Sequence, residues 1–219
     1  MKQAIVLLSG GVDSAVTLYE AKIDYECKVL VVDYGQKAKK EIQCAIRVAK
    51  EAGCECTVLK VELPWKGSAL LDPERAIPEG MDSAGGDIPD TYVPSRNIIL
   101  LSYGVSYAES IGAEAVFIGA HQMDYSNYPD CRSEFFDKFR ETIRYGTKVG
   151  IENHSIKIET PVIDRTKKEI VEIGDRLGVP FGLTWSCYHG DEAPCGKCES
   201  CLYRKQAFKE AGVVDEGVK

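Results

Sequence analysis

The sequence predicts an α/β fold: an open, mainly parallel sheet with helices on both faces and a small metal-binding segment at the C-terminus. Three observations predict it. Apolar β-branched runs alternate with helix-period stretches over most of the chain, the first strand turns into a helix through a glycine pair, and the cysteines gather near residue 200. These features divide the chain into an α/β domain over residues 1–180 and a four-cysteine, partly helical segment over residues 181–219 packed on it.

The first element is the apolar run Ile5 to Leu8, which ends in Ser9-Gly10-Gly11-Val12-Asp13-Ser14. Gly10 and Gly11 lack side chains, so their N–H groups approach a ligand closely, and Ser9 and Ser14 donate to oxyanions beside the positive end of the next helix. The stretch reads as a phosphate cradle. It lacks the lysine of G-x-x-x-x-G-K-[ST], and G-x-G-x-x-G is absent too. Without a ligand, the same residues make a strand-turn-helix corner with Asp13 as its N-cap.

A helix over Asp13 to Ile23 and a buried strand over Cys27 to Val32 complete the first parallel unit. That strand ends at Asp33-Tyr34-Gly35-Gln36, at the carboxyl edge where open sheets hold ligands. Either Asp33 or Tyr34 meets a nucleotide there, or Gly35 makes a plain turn. Ile42, Ala45, Ile46 and Ala49 then form an apolar helical stripe within Lys37 to Ala52, and Cys56 to Val61 reads as a third strand. From Leu63 to Pro94 the prolines and glycines break every period. Such a stretch inside a compact domain is a functional lid or a disordered loop, and Met81 to Asp90 is expected to be mobile without ligand.

Periodicity returns with a helix over Asn97 to Ile111, placing Arg96 at its entrance, where an anion-binding role competes with a plain surface position. A strand over Ala115 to Ile118 runs into a polar, aromatic loop from Gly119 to Arg132. His121 and Asp124 suit acid–base work, Tyr125 and Tyr128 suit stacking on a flat ring, and Asp130 with Arg132 suits polar edges or a structural cap. Ser133 to Lys148 is helical, with Phe135, Phe136 and Phe139 as core; Ile156 to Glu159 is the next strand. Thr166 and Glu169 form a capping box opening a helix that runs to Gly178. Lys167 sits in its first turn, within reach of a ligand edge or simply solvated.

Composition bounds the function. A hydrophobic share of 44% is that of a folded globular chain, and a net charge of −7 disfavours a general nucleic-acid binder. With no basic leader and no long apolar run in the sequence, a cytoplasmic protein without membrane partners is expected. Nine cysteines, an odd number without a secretion signal, favour thiols over disulfides. Cys187, Cys195, Cys198 and Cys201, at C-x7-C-x2-C-x2-C, suit a structural zinc ion with no open coordination position. His189 is a rival fourth ligand, and an iron–sulfur cluster is the alternative occupant.

The Ser-Gly-Gly-x-Asp-Ser string resembles the pyrophosphate loop of the ATP-pyrophosphatase superfamily, whose fold is Rossmann-like. Together with Asp33-Tyr34-Gly35-Gln36, Val93-Pro94-Ser95-Arg96-Asn97, Asp124 to Arg132, Glu159-Thr160-Pro161 and the cysteine tail, it resembles the 7-cyano-7-deazaguanine synthase family over residues 3 to about 212. Two departures stand out, since the family usually has glycine where Ser95 and Asn127 stand. The resemblance implies a homodimer that uses ATP, Mg2+ and ammonia to convert 7-carboxy-7-deazaguanine to its nitrile through an amide. It implies ATP contacts from Leu8, Ser9, Gly10, Gly11, Val12, Asp13, Ser14, Asp33 and Tyr34. Catalytic roles fall to Asp13, Arg96 and Lys167, and deazaguanine contacts to Tyr125, Tyr128, Asp130 and Arg132. A tRNA thiolation enzyme of the same superfamily, a relative that stops at the amide, and a non-catalytic nucleotide-binding protein are the competing readings.

Overall fold

In the computed structural model, residues 2–80, 88–121, 128–190 and 192–218 are described. Five strands form one wholly parallel sheet in the order β3-β2-β1-β4-β5. They are β1 (Lys2–Leu7), β2 (Tyr25–Asp33), β3 (Glu55–Lys60), β4 (Ala115–Ile118) and β5 (Lys157–Glu159). The central strand β1 shows why both faces are covered: Ala4, Val6 and Leu8 pack into one apolar layer, while Ile5 and Leu7 pack into the other. That two-residue alternation, apolar at both phases, is what a strand buried on two sides requires.

The first layer is closed by α1 (Val12–Asp24), α2 (Lys39–Glu51), α6 (Lys167–Leu177) and α7 (Glu199–Ala211), which contribute Leu18, Val48, Ile170 and Phe208. The second is closed by α3 (Arg96–Ile111) and α4 (Ser133–Gly146) through Leu101 and Phe136, with the short α5 (Lys148–Ile151) following. The expected elements are present with boundaries shifted by at most three residues, the largest shift being the start of β1 at Lys2. The expected helix over 133–148 instead ends at Gly146, and β3 is an edge strand whose Val58 is 46% exposed. The chain winds outward from β1 to β3 and then returns to β4 on the other side, so strand order reverses between β1 and β4. The crevice at their carboxyl ends is where such sheets bind ligands.

The described parts of the stretch from Leu63 to Pro94 have no regular element longer than a bridge, yet they are packed. Ser68 and Ala69 are fully buried, and the Ala69 N–H donates to the Asp90 carbonyl (2.7 Å). The Lys37 N–H donates to the Leu70 carbonyl (3.0 Å) and the Gly80 N–H to the Lys197 carbonyl (3.0 Å). Residues 63–80 are therefore a strap tying the end of β2 to the cysteine tail. Besides short turns between Ser68 and Arg75, its hydrogen bonds tie it to distant segments, which leaves no local period to read. The expectation of a mobile loop at 81–90 falls mostly on residues 81–87, outside the described residues.

No described helix is long and apolar enough to cross a membrane.

Candidate active site

The turn after β1 is shaped by contacts that a side chain would block. Gly10 has φ +90°, and a Cβ there would lie 2.3 Å from the Glu41 carbonyl oxygen and 2.9 Å from the Ala45 N of α2. Its carbonyl accepts from the Trp185 N–H (2.8 Å), which joins the loop to the C-terminal segment. The Ser14 hydroxyl donates to the Gly11 carbonyl (3.0 Å) and accepts from the Ser9 N–H (3.2 Å), and the two serine hydroxyls are 3.0 Å apart. The N-cap of α1 is Gly11, with no side-chain cap, which corrects the reading of Asp13 as N-cap. Asp13 lies in the first turn and accepts from Lys167 Nζ at 2.7 Å, a half-buried ion pair between α1 and α6. On the facing strand, Gly119 is a position the sequence reading missed. A Cβ there would lie 2.8 Å from the Ser14 N, so only glycine lets β4 end this close to α1.

This turn floors a cavity of about 320 Å3, within the usual range for small-molecule sites. Of the residues proposed from sequence, Leu8, Ser9, Gly11, Val12, Asp13, Ser14, Tyr34, Arg96, Tyr128 and Lys167 line it. Asp33 lies outside the lining. Burial works against its charge, but Lys39 Nζ (2.8 Å) and the Gly35 N–H (3.2 Å) hold its carboxyl below the usual range. Tyr125 and Asp124, with the rest of residues 122–127, lie outside the described residues, as does the departure at Asn127. His121 also lines the cavity, and its Nε2–H donates to the Arg165 carbonyl at 2.6 Å.

Arg96 is brought in by the start of α3. The residue before it, Ser95, has φ +56° and ψ +24°, a left-handed conformation costing a non-glycine residue roughly 1 kcal/mol. Glycine, which the resemblance leads one to expect at this position, would adopt this conformation without strain. Burial opposes the Arg96 charge, but the Tyr34 and Tyr128 oxygens outweigh it and hold the guanidinium firmly protonated. Its Nη1 lies 3.5 Å from the Tyr34 hydroxyl.

Asp130 and Arg132 are not brought to the cavity. Asp130 is buried behind α3, where its Oδ2 accepts from the Asn97 N–H (3.0 Å) and its carbonyl from Asn97 Nδ2 (2.9 Å). It supplies from a distance the cap that Ser95 does not give. Arg132 is exposed, at the N-cap of α4. Replacing Asp130 with alanine leaves the Asn97 N–H buried and unpaired, and should cost about 1–3 kcal/mol in denaturant unfolding. Cys131 is also buried against Asn97 Nδ2 (3.3 Å), and burial pushes its thiol up to about 11, which leaves it a poor nucleophile at neutral pH.

The cavity contains groups that no local motif announces. Trp185, Tyr188, Glu199 and Glu41 all line it. Trp185 and Tyr188 flank Cys187 in sequence, so a signal for them existed in the tail, while Glu41 looks like any helix-surface acid. Burial pushes the Glu41 carboxyl up to about 8, against the opposing pull of Arg96.

In the tail, the sulfurs of Cys187, Cys195, Cys198 and Cys201 all lie within 4.8 Å of one another. Metal–sulfur bonds of about 2.3 Å in a tetrahedron put sulfurs roughly 3.8 Å apart, so four thiolates fit one ion with small adjustment. The N–H groups of His189 and Cys195 point at the Cys187 sulfur (both 3.4 Å) and that of Cys198 at the Cys195 sulfur (3.3 Å), a shell that stabilises thiolates. His189 is not part of the group. Cys187 and Cys198 pack with Trp185, Cys44 and Ile77, so the centre is continuous with the wall of the cavity.

A family model described as "Queuosine biosynthesis protein QueC" matches residues 3–212. The chain belongs to the QueC family. Its relatives include proteins named 7-cyano-7-deazaguanine synthase from Clostridium kluyveri, 50% identical over 98% of this chain and 96% of that one, and from Nostoc punctiforme, 47% identical over 97% of each. One from Picrophilus torridus is 44% identical over 99% of this chain and 91% of its own. A solved NMN synthetase from Francisella tularensis superposes with a TM-score of 0.48 at 16% identity, covering 97% of this chain and 78% of that one, a likeness too distant to inform function. The QueC match spans the turn after β1, the start of α3 and the cysteine tail alike.

Proposed function

We propose that the chain is an ATP-dependent ligase that converts 7-carboxy-7-deazaguanine and ammonia to 7-cyano-7-deazaguanine. The observation that carries this reading is that relatives bearing the synthase name align along nearly their whole length, at up to 50% identity. A carboxylate resists attack because ammonia would have to expel oxide. Attack of a carboxylate oxygen on the α-phosphorus of ATP releases pyrophosphate and leaves AMP as the departing group. Ammonia then displaces AMP to give the amide. A second activation of the amide oxygen, followed by its departure and loss of two protons from nitrogen, gives C≡N.

Each role follows from charge and position. Ser9, Gly11 and Ser14 bind pyrophosphate at the start of α1, with Gly10 holding the turn open against α2. Lys167 and Arg96 stabilise charge on phosphorus and on the leaving pyrophosphate. Asp13 Oδ1, outside the Lys167 contact, would hold Mg2+, which would supply charge neutralisation at the phosphates. Tyr34 borders the nucleotide and Tyr128 the deazaguanine ring. Catalysis then rests on positioning and charge, with no covalent protein nucleophile. Replacing Lys167 with methionine should lower kcat roughly 100-fold or more while the fold is retained, measured as ATP-dependent AMP release.

The four cysteines hold one structural Zn2+ per chain, in a segment from residue 181 that packs on the α/β domain. None of the nine cysteines is joined in a disulfide, in keeping with a reducing cytoplasmic setting. On the family resemblance we also take the chain to form a homodimer, measured by light scattering. The deciding experiment gives the purified protein ATP, Mg2+, ammonium and 7-carboxy-7-deazaguanine and follows products by mass spectrometry. Nitrile with AMP supports the reading; amide alone places the chain with enzymes that stop there, and neither product overturns it.

A further inference from the structure

The deazaguanine has one edge that the synthase reading leaves without a partner in the protein. Its N1–H and 2-amino group together form a planar, amidine-like pair of donors, and a carboxylate is the side chain that accepts from both at once. Asp130, the acid suggested for this by sequence, caps α3 instead and does not line the cavity. Three acids among the described residues do line it: Asp13, Glu41 and Glu199. Asp13 is engaged by Lys167 at the phosphate end.

Glu41 differs from Asp13 in having no closed contact. It stands in the first turn of α2, half-buried, and among the described residues no hydrogen bond or ion pair engages its carboxyl. Arg96 is close enough to pull on its charge, yet no ion pair closes between the two. A half-buried carboxyl that no described residue engages gains when a ligand supplies donors to it. Phosphates cannot, since they bear negative charge and accept only. Adenine offers a single amino donor on its polar edge, whereas the deazaguanine offers two nitrogens side by side.

Resting on the synthase reading, we propose that Glu41 is the specificity-determining acceptor for the N1–H and 2-amino edge of the deazaguanine. Burial that raises its pKa in the empty cavity fits this role, because two neutral donors arriving together favour the carboxylate. Glu41 would then separate guanine-type substrates from rings that lack the 2-amino group.

The test pairs a side-chain change with a ligand change. Wild type, Glu41→Gln and Glu199→Gln are each given 7-carboxy-7-deazaguanine and its 2-deamino counterpart, with substrate Kd, KM for both substrates and melting temperature recorded. Wild type should bind the 2-deamino compound roughly 10- to 100-fold more weakly. Glu41→Gln should weaken binding of the guanine form by a similar factor and lose most of the discrimination. It should melt close to wild type at pH 7, because the carboxyl, pushed up to about 8, is already largely neutral there and the amide matches it in shape. The KM for ATP should stay within about twofold, well below the effect of losing a charged hydrogen bond. Full affinity and discrimination in Glu41→Gln overturn the proposal, as does a loss falling on ATP alone. So does discrimination that vanishes in Glu199→Gln and persists in Glu41→Gln. If wild type turns over neither compound, the synthase reading itself falls; if it turns over the guanine form normally, only the assignment of Glu41 is at stake.

Discussion

A Gly10→Ala protein should retain no measurable ATP-dependent activity and should melt well below wild type. The added methyl would sit 2.3 Å from the Glu41 carbonyl oxygen and 2.9 Å from the Ala45 N, at a residue whose φ is +90°. Both obstructing atoms are backbone atoms of α2, so no rotamer change relieves the clash. Either α2 moves away from the sheet or the turn opens, and both break the cradle. Overpacking and backbone strain together should cost roughly 2–5 kcal/mol. Gly35→Ala is the internal control. Gly35 also has φ +90°, but a Cβ there meets nothing within 4 Å. That variant should lose about 1–2 kcal/mol from strain alone and keep its activity. Thermal melts and AMP release on the two proteins separate backbone strain from steric blockage, and an active Gly10→Ala enzyme would remove the turn from the mechanism.

Replacing Cys198 with serine should abolish metal binding and weaken ATP binding together. Cys198 is fully buried and packs with Trp185 and Cys187, and the Trp185 N–H holds the Gly10 carbonyl. On the zinc proposal, losing the ion would therefore loosen the segment that braces the phosphate turn. The strap is affected as well, since Glu79 bridges to Cys198 and the Gly80 N–H donates to Lys197. Metal analysis should fall from one zinc per chain to none, the melting temperature should drop, and KM for ATP should rise severalfold. Structural zinc sites carry a folding free energy of about 10 kcal/mol or more in small domains; a larger core should soften that to a local effect here. Cys54→Ser, remote from the tail in sequence and outside the cluster, should leave the metal content unchanged. Iron with sulfide in the wild type would replace zinc by a cluster.

The element order was legible because helix and strand periods are local: the double-faced burial of β1 and the Thr166–Glu169 capping box each reside within a few residues, while on α2 the buried side is Cys44, Ala45, Val48 and Ala49 and the expected Ile46 is 41% exposed. The phosphate turn and the cysteine spacing were legible for the same reason, since each packs its chemistry into a short string whose spacing limits the geometry. The strap at residues 63–80 was not, because its hydrogen bonds run to Lys37, Asp90 and Lys197 and leave no period behind.

Sequence alone thus determined which residue types were available: a glycine turn for phosphate, four thiols for a metal, and acids and arginines near the carboxyl edge of a parallel sheet. Tertiary structure decided where those side chains point. It turned Asp130 away to cap α3, tied Asp13 to Lys167, and left Glu41 lining the cavity with no hydrogen bond or ion pair from the described residues. The reason is that a carboxylate's role depends on which donors lie within about 3 Å of it, and here those donors come from residues 33 and 154 positions away in the chain. Only the folded arrangement of the helices around β1 and β4 brings them there.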